Sequence, residues 1–339
     1  MPFWINIIVA FVAFAVTALS GFIIIPYLHK LKCGQTILDI GPNWHKKKQG
    51  TPTMGGVMFA LGAIIATIVG FVIFRNYNRA NAVEGTDIAG LKLLAGFVMA
   101  LLFMFVGFVD DYIKVVKKQN LGLKAMQKVI FQVLIAAGYL FFIRYLGETS
   151  NAIYFPFIGE IDFGIFYIPL MIVFIMFIVN SVNLTDGVDG LCGSVTLVAS
   201  LAFATIFFLF NNSEYAIFST AIAGGCLGFL VWNLNPAKVF MGDTGSMFLG
   251  GAIVAMGFAS GFELLIVLIG LIYVCESLSV ILQVISFKTT GKRIFKMSPI
   301  HHHFEMSGWG EYKIVIIFSI ITLLVGAIGV ASIYSIIKV

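Results

Sequence analysis

Charged residues are scarce in this chain. Only 11% of its 339 residues are Asp, Glu, Lys or Arg, whereas 60% are hydrophobic. A soluble globular domain carries about 25% charged residues, and the mean hydropathy here is +1.02. This composition excludes an ordinary soluble domain and predicts an all-α integral membrane protein.

Cysteine is also rare, and the four cysteines stand far apart with no spacing typical of metal ligands. We therefore expect free thiols in or near helices. The chain has no linker, no low-complexity stretch and no clear internal repeat of the kind that marks many secondary transporters. Residues 1–339 are predicted to form a single transmembrane domain.

Apolar runs predict about ten transmembrane helices, each near the roughly 20 residues that one crossing needs. The first run has no positive residue before it and is expected to be a span rather than a cleavable signal peptide. An even number of spans places both termini on the same side of the membrane. The runs are 3–27, 54–74, 91–109, 129–146, 165–182, 191–210, 216–232, 246–259, 264–286 and 314–337.

The lysines and arginines of the loops predict the orientation. Of the 21 in the chain, five fall on the side that holds the termini and the other sixteen on the opposite side. Positive residues favour the cytoplasm, so both termini are expected outside, with 153–163 forming a short external β-hairpin. The five outer residues are Arg75, Arg79, Lys92, Arg144 and Lys338.

Two polar clusters lie on the predicted inner face in the first third of the chain. Segment 46–56 joins three lysines to a Gly-Gly helix start, which suits an anion at a helix N-terminus or an anchor on anionic lipid headgroups. Asp110 and Asp111 end an apolar run, and Lys114 follows. Adjacent helical residues point about 100° apart, so the two acids are not expected to face one ligand squarely. Lys114 can shield either acid, and a capped helix end with local ion pairs is the alternative.

Three further clusters follow on the same face. Segment 180–190 is dense in Asn, Asp and Gly, which supply acceptors and close backbone approach. Asp243 stands between glycines at the start of a span, as a metal ligand or phosphate site would. Segment 298–305 holds three consecutive histidines, which fit either a soft-metal site or hydrogen bonds to phosphate oxygens.

Together the clusters supply acids for Mg²⁺, lysines and histidines for phosphates, and Asn, Gly and Phe for a nucleobase. They predict chemistry on a phosphorylated, water-soluble substrate at the cytoplasmic membrane surface, with a lipid as second substrate. Magnesium suits such a site because it binds oxygen and is shared with substrate phosphates.

The ordered motifs resemble those of the bacterial phospho-N-acetylmuramoyl-pentapeptide transferases, within the polyprenyl-phosphate N-acetylhexosamine-1-phosphate transferase superfamily. The resemblance runs the whole length, and the triple-histidine block favours the muramoyl-pentapeptide branch. The motifs are Thr51-Pro52-Thr53-Met54-Gly55-Gly56, Asp110-Asp111-x-x-Lys114, Asn183-Leu184-Thr185-Asp186-Gly187-x-Asp189-Gly190, the stretch Pro236 to Ser246, and Pro299-Ile300-His301-His302-His303-Phe304-Glu305.

The resemblance implies transfer of phospho-MurNAc-pentapeptide from its UDP-linked form to undecaprenyl phosphate, giving lipid I and UMP with Mg²⁺ required. It implies a multi-pass protein of the bacterial cytoplasmic membrane, in contact with membrane lipid, as a homodimer and without a nucleic acid partner. By motif match, Asp243 is the Mg²⁺ ligand, Asp110 deprotonates or orients the lipid phosphate, and Asp111 supports the metal and phosphate region. These three acids and His301 are the catalytic residues that the resemblance implies. Lys48, Gly187, Asp189 and Phe240 hold the uridine; Asn233, Lys118, His301 and His302 contact phosphates or sugar; Thr53, Lys114, Asn183, Asp186 and His303 complete the substrate-binding set.

Alternatives remain for the mechanism of transfer and for the function itself. The transfer proceeds by direct in-line attack of the lipid phosphate or through an aspartyl phospho-sugar intermediate. An N-acetylglucosamine-1-phosphate transferase of the same superfamily is a second candidate function. A secondary transporter is a third, favoured only by Glu276, an acid within a predicted span.

Overall fold

The structure is a computed structural model that describes residues 2–31, 48–80, 87–117, 119, 121–155 and 158–337. Within these ranges it is helical apart from one two-stranded sheet. Its elements, in chain order, are α1 (Phe3–Lys30), α2 (Gly56–Ala80), α3 (Asp87–Lys117), α4 (Ala125–Tyr145), β1 (Ala152–Phe155), β2 (Gly159–Asp162), α5 (Tyr167–Thr185), α6 (Leu191–Leu209), α7 (Ser213–Asn233), α8 (Gly242–Ala259), α9 (Leu265–Ile269), α10 (Leu271–Thr290), α11 (Ile300–Glu305) and α12 (Glu311–Ile337).

Nine helices in the described part of the chain are long and apolar enough to cross a membrane. They correspond to nine of the runs predicted from sequence, and the tenth run lies in α8. Helix α8 differs because every residue from Thr244 to Gly257 is buried inside the protein. It therefore presents little side-chain surface to lipid and can be richer in glycine than its neighbours.

Helix α8 is the centre of the bundle and packs against α2, α3 and α5. A second group, in which α7 contacts α1, α2 and α6, completes the body. Small residues at helix contacts allow backbones to approach closely, which is the usual way that membrane helices associate. The contact between α3 and α8 matters most for function, because both helices carry acids of the candidate site.

The predicted span 264–286 is interrupted in the structure. Gly270 separates the short α9 from α10, and Glu276 lies within the first two turns of α10. Helix α10 ends at Gly291, whose φ of 70° is the left-handed conformation common at helix ends. The expectation of one continuous span is therefore wrong at Gly270.

The predicted hairpin is confirmed. Strands β1 and β2 pair antiparallel, from Ala152 opposite Asp162 to Phe155 opposite Gly159. Lys128 lies near the start of helix α4, and the hairpin follows the end of that helix. The 21 residues of α4 span about 31 Å. The hairpin and the inner clusters therefore lie at opposite ends of the bundle.

Candidate active site

The adjacent acids Asp110 and Asp111 lie inside a helix rather than at its end. The apolar run 91–109 stops before them, but α3 continues to Lys117. One helical turn brings Lys114 Nζ to 2.6 Å from Asp110 Oδ2 and 3.9 Å from Asp111 Oδ1. The prediction that Lys114 shields either acid is confirmed.

Asp111 caps the N-terminus of α8. Its Oδ2 accepts hydrogen bonds from the backbone N–H and the hydroxyl of Thr244, at 2.9 and 2.7 Å, and its Oδ1 accepts one from the N–H of Asp243 at 3.3 Å. A carboxylate is favoured there because a helix N-terminus is electropositive and has unsatisfied N–H groups. The approach requires glycine at position 107, where a Cβ would lie 2.1 Å from the carbonyl oxygen of Asp243.

This close approach places three carboxylates together. One oxygen each from Asp110, Asp111 and Asp243 lie within 4.8 Å of one another, and within the described residues this is the group of acidic, histidine or cysteine side chains that could hold a metal. Lys114 lies near both neighbouring acids, but their hydrogen-bond partners differ: Thr244 donates to Asp111, and the N–H of Leu123 donates to Asp110. The structure nevertheless brings both to Asp243, because α8 meets α3 at Gly107 rather than farther along the helix.

Two ammonium groups hold these carboxylates in place. Lys128 Nζ lies 2.8 Å from Asp243 Oδ2 and 3.0 Å from Asp110 Oδ1, and Lys114 Nζ lies 3.3 Å from the same Asp243 oxygen. Burial disfavours the charged form of Asp243, but the charges of Lys114 and Lys128 outweigh it and hold the pKa of this carboxyl below its usual range. Asn183 Nδ2 donates to the other oxygen, Asp243 Oδ1, at 3.1 Å. Asp243 is thus ionised and oriented by three side chains.

Asp186 faces the same region from the turn after α5. Its side chain is partly buried, and desolvation together with the charges of Asp243 and Asp111 raises its pKa well above the usual range. The predicted substrate-binding residue Lys118 lies outside the described residues.

A second charged cluster joins three segments beside the first. Lys48 Nζ lies 2.7 Å from both Asp189 Oδ1 and Glu311 Oε2. The other oxygen of Asp189 accepts hydrogen bonds from Asn235 Nδ2 at 3.2 Å and the backbone N–H of Ala237 at 3.0 Å. Lys48 and Asp189, both predicted uridine residues, are therefore adjacent, with each charge paired in this structure.

The segment before α2 pairs with the segment before α8. The N–H of Phe240 donates to the carbonyl of Pro52, and the N–H of Gly55 donates to the carbonyl of Phe240, both at 2.8 Å. Thr53 is buried in this pairing, and Phe240 is half-buried. The backbone of the Thr-Pro-Thr motif thus positions the predicted base-stacking residue.

Asn233 connects two loops of the site. Its Oδ1 accepts from the N–H of Gly190 at 3.1 Å, and its Nδ2 donates to the carbonyl of Val239 at 2.9 Å. The side chain is buried. In this structure Asn233 holds the loops that present Asp189 and Phe240.

The three consecutive histidines have different partners. His302 Nδ1 lies 2.5 Å from Glu305 Oε2, whereas His303 Nδ1 accepts the N–H of Lys296 at 3.1 Å. His301 is buried, and its Nδ1 lies 3.0 Å from Glu276 Oε2. Each of the three imidazoles therefore has a different partner.

His301 reaches the Asn-Asp-Gly turn through Gly187. A Cβ at position 187 would lie 2.2 Å from His301 Nε2, so only glycine leaves room for this imidazole. Sequence reasoning assigned Gly187 to uridine binding, and the structure shows that its missing side chain also accommodates His301.

Four residues of the site were not singled out as site residues from the sequence, or were given no role in catalysis. They are Lys128, Thr244, Glu276 and Glu311. A lysine one turn inside an apolar helix and an acid inside another were the signals available for Lys128 and Glu276. Thr244 and Glu311 carry no local signal, because their roles depend on partners 133 and 263 residues away.

A bundle of membrane-spanning helices with carboxylates, ammonium groups and histidines gathered where several loops meet is typical of a membrane-embedded transferase of charged substrates. The family model "Glycosyl transferase family 4" matches residues 93–261, and the "Phospho-N-acetylmuramoyl-pentapeptide-transferase signature 1" matches residues 48–59. Both stretches contribute residues to the two charged clusters.

Relatives extend the match to nearly the whole chain. Proteins named phospho-N-acetylmuramoyl-pentapeptide-transferase from Halalkalibacterium halodurans, Thermoanaerobacter sp. (strain X514) and Clostridium perfringens (strain 13 / Type A) are 45%, 48% and 47% identical to it. The alignments cover 94%, 94% and 95% of this chain and 94%, 95% and 96% of those proteins. The chain belongs to the phospho-N-acetylmuramoyl-pentapeptide-transferase family. It is a multi-pass membrane protein of the bacterial type.

Proposed function

We propose that this chain transfers phospho-MurNAc-pentapeptide from UDP-MurNAc-pentapeptide to undecaprenyl phosphate, forming lipid I and releasing UMP, in the synthesis of peptidoglycan. The observation that carries the proposal is the carboxylate–ammonium cluster of Asp110, Asp111, Asp243, Lys114 and Lys128, in a chain that matches this family over nearly its full length.

The acid cluster fits a magnesium ion. Its three carboxylates are hard oxygen donors within 4.8 Å of one another, and Mg²⁺ prefers such ligands and shares itself with substrate phosphates. The two lysines already place positive charge on the same oxygens. When bound, the ion neutralises charge on the pyrophosphate and on the departing UMP. Asp243 is the best ligand candidate, because it is the most exposed of the three acids, at 19%.

Residues of the chain itself position the phosphates of the two substrates. An oxygen of the lipid phosphate attacks the sugar-linked phosphorus in line; the new P–O bond forms as the bond to the UMP phosphate breaks and UMP departs with the bridging oxygen. A phosphate monoester is largely ionised near pH 7 because its second pKa is about 6. Asp110, already paired with Lys114 and Lys128, is therefore better suited to orienting these lysines towards phosphates than to removing a proton.

The rival two-step route uses a carboxylate as nucleophile. Asp110 and Asp243 are close enough to a common point for either to serve. A partial reaction separates the routes: direct transfer predicts no exchange of labelled UMP into the UDP-sugar when the lipid acceptor is omitted, and robust exchange under those conditions would refute it.

The donor nucleotide is proposed to bind beside the second cluster. Lys48 and Asp189 lie next to the loop that carries Phe240, so a uracil stacked on that ring would be within reach of both. Binding requires Lys48 to exchange one of its carboxylates for a phosphate or base oxygen. Glu311, the more exposed of its two partners, is the one we expect it to release.

Orientation and assembly complete the proposal. The site is placed on the cytoplasmic face with both termini outside, since the loops of the site end carry most of the lysines and arginines. A membrane-impermeant maleimide should label Ser150→Cys, beside the hairpin, but not Thr290→Cys in intact cells. A homodimer, implied by the family resemblance, is tested by light scattering of the detergent-solubilised protein.

The decisive assay for the reaction is UMP release in the presence of Mg²⁺ and undecaprenyl phosphate. UDP-MurNAc-pentapeptide should support it, and UDP-GlcNAc should not. Equal use of both donors would instead favour an N-acetylglucosamine-1-phosphate transferase. Net movement of substrate across the membrane without UMP release would favour a transporter.

A further inference from the structure

Glu276 and His301 form a buried pair that the proposed reaction does not use. Glu276 is fully buried and His301 is 1% exposed, and the carboxylate Oε2 accepts from both the ring Nδ1, at 3.0 Å, and the backbone N–H of His301, at 3.3 Å. Within the described residues, His301 is the ion-pair partner that the structure gives to Glu276.

The far side of the imidazole has no partner. His301 Nε2 is buried without a hydrogen bond and points at Gly187, whose Cα leaves just enough room for it. A buried polar atom without a partner costs about 1–3 kcal/mol, so each one in a native structure needs an explanation. The backbone of Gly187 covers Nε2 in this structure, so an oxygen of a bound substrate would become its partner when the turn of residues 185–187 shifts.

Burial determines which hydrogens the pair carries. An isolated buried charge is far costlier than a neutral pair, so the two side chains together should have no net charge. If Glu276 is ionised, the imidazolium carries hydrogens on both nitrogens. If Glu276 is protonated on Oε2, it donates to Nδ1, and the one ring hydrogen is on Nε2.

The remaining neutral arrangement places the proton on Glu276 Oε1. That atom is also buried without an acceptor, so a hydrogen there would be stranded, and the backbone N–H of His301 favours an acceptor at Oε2. Both arrangements that satisfy the contacts therefore put a hydrogen on Nε2. His301 faces the turn of residues 185–187 as a donor.

We infer that Glu276 is a positioning residue that holds His301 with a hydrogen on Nε2, so that the imidazole donates to an anionic oxygen of the donor substrate and cannot act as a general base. The inference rests on the proposed function for the identity of that oxygen, which belongs to a phosphate of the nucleotide–sugar. It assigns Glu276, which has no lysine or arginine partner in the described structure, a role in the transfer rather than in transport.

The first test is spectroscopic and independent of turnover. Nitrogen NMR of protein labelled at histidine should show a hydrogen on Nε2 of His301 in the wild type, with the signal assigned by its loss in His301→Ala. In Glu276→Gln an amide that can donate or accept replaces the carboxylate beside Nδ1, so the ring-nitrogen signals of His301 should shift away from those of the wild type. A bare Nε2 in the wild type would overturn the inference whatever reaction the protein catalyses.

The second test is kinetic. Glu276→Gln should lower kcat for UMP release by about 100-fold, the usual effect of removing one donor to a developing anion, with UMP affinity and the unfolding temperature unchanged. Because Glu276 acts through His301, adding Glu276→Gln to His301→Ala should cost little more than His301→Ala alone. Additive losses, or wild-type turnover in Glu276→Gln, would refute the pairing.

Glu263 provides the matched control. It is a buried glutamate that has no histidine partner in the described structure: it is 8% exposed and accepts a hydrogen bond from the hydroxyl of Tyr167 at 3.0 Å. It lines a cavity of about 480 Å³ that residues of the hairpin also line, away from the acid cluster. Glu263→Gln should leave kcat unchanged. An equal loss in both variants would show a general effect of neutralising a buried carboxylate and would overturn the inference.

Discussion

Replacing Lys128 by glutamine should tighten the binding of divalent cations at the carboxylate cluster. The three carboxylates and two ammonium groups sum to a charge of −1, and the substitution changes it to −2. Lys128 Nζ lies 2.8 and 3.0 Å from oxygens of Asp243 and Asp110. This ammonium group therefore occupies part of the space that a cation on Asp243 Oδ2 would need.

The magnitude follows from these distances. An ion bound about 2.1 Å from Asp243 Oδ2 would lie no more than about 5 Å from Nζ of Lys128, which is 2.8 Å from that oxygen. The repulsion between a single and a double positive charge at that separation is roughly 1.7 kcal/mol at the dielectric constant of water and roughly 7 kcal/mol at an effective value of 20. Even the smaller figure corresponds to more than tenfold in affinity.

Mn²⁺ is a suitable probe, since its binding to the detergent-solubilised protein can be followed by the paramagnetic resonance of the free ion. Lys128→Gln should lower the dissociation constant at least tenfold. Lys124→Gln is the control, because this substitution removes the same charge from the same segment. Lys124 directly precedes α4 and is exposed. Unchanged or weaker binding in Lys128→Gln, or equal tightening in both variants, would refute the cluster as the cation site.

Other substitutions test the separate parts of the site. Thr244→Val removes the hydrogen bond from the hydroxyl to Asp111 and keeps the one from the backbone N–H. It should lower the free energy of unfolding by about 1.5–3 kcal/mol. Thr205→Val removes an exposed hydroxyl that bonds only its own helix and should change the free energy of unfolding far less. Gly187→Ala should lower turnover at least tenfold because its Cβ would displace His301, whereas Gly138→Ala, with open space at its Cβ, should leave turnover intact; equal rates for both would contradict the packing argument. Asp110→Asn should reduce turnover more than nucleotide binding and should retain cation binding that Asp243→Asn loses; equal loss of the cation in both would show that the two acids share the ligand role.

The geometry sharpens one interpretation made from the sequence. The resemblance assigned Asp110 to the lipid phosphate and Asp111 to the support of the metal and phosphate region, as roles distinct from metal ligation by Asp243. Their carboxylates instead form one cluster with Asp243, and Asp111 is occupied in capping α8. Asp243 is the most exposed of the three acids, at 19% against 1% for Asp110 and 4% for Asp111, so its oxygens are the most accessible to a cation.

The positions of the membrane spans, the hairpin and the motifs were determined by the sequence itself. Apolar runs of the required length have few alternatives to a helix in lipid, since every backbone polar group must be satisfied within the segment. The alternating residues around Gly159 likewise predict a hairpin from local pattern alone.

Tertiary structure alone decided which polar residues meet. The approach of α8 to α3 at Gly107, the place of Lys128 between two acids and the pairing of Glu276 with His301 join residues far apart in the chain. Periodicity reports which face of a helix is apolar, but it carries no information about the partner that this face will find. The depth and angle at which helices cross are set by packing between side chains distant in sequence, and that packing made a paired, oriented site from acids and histidines that the sequence could only place on the same side of the membrane.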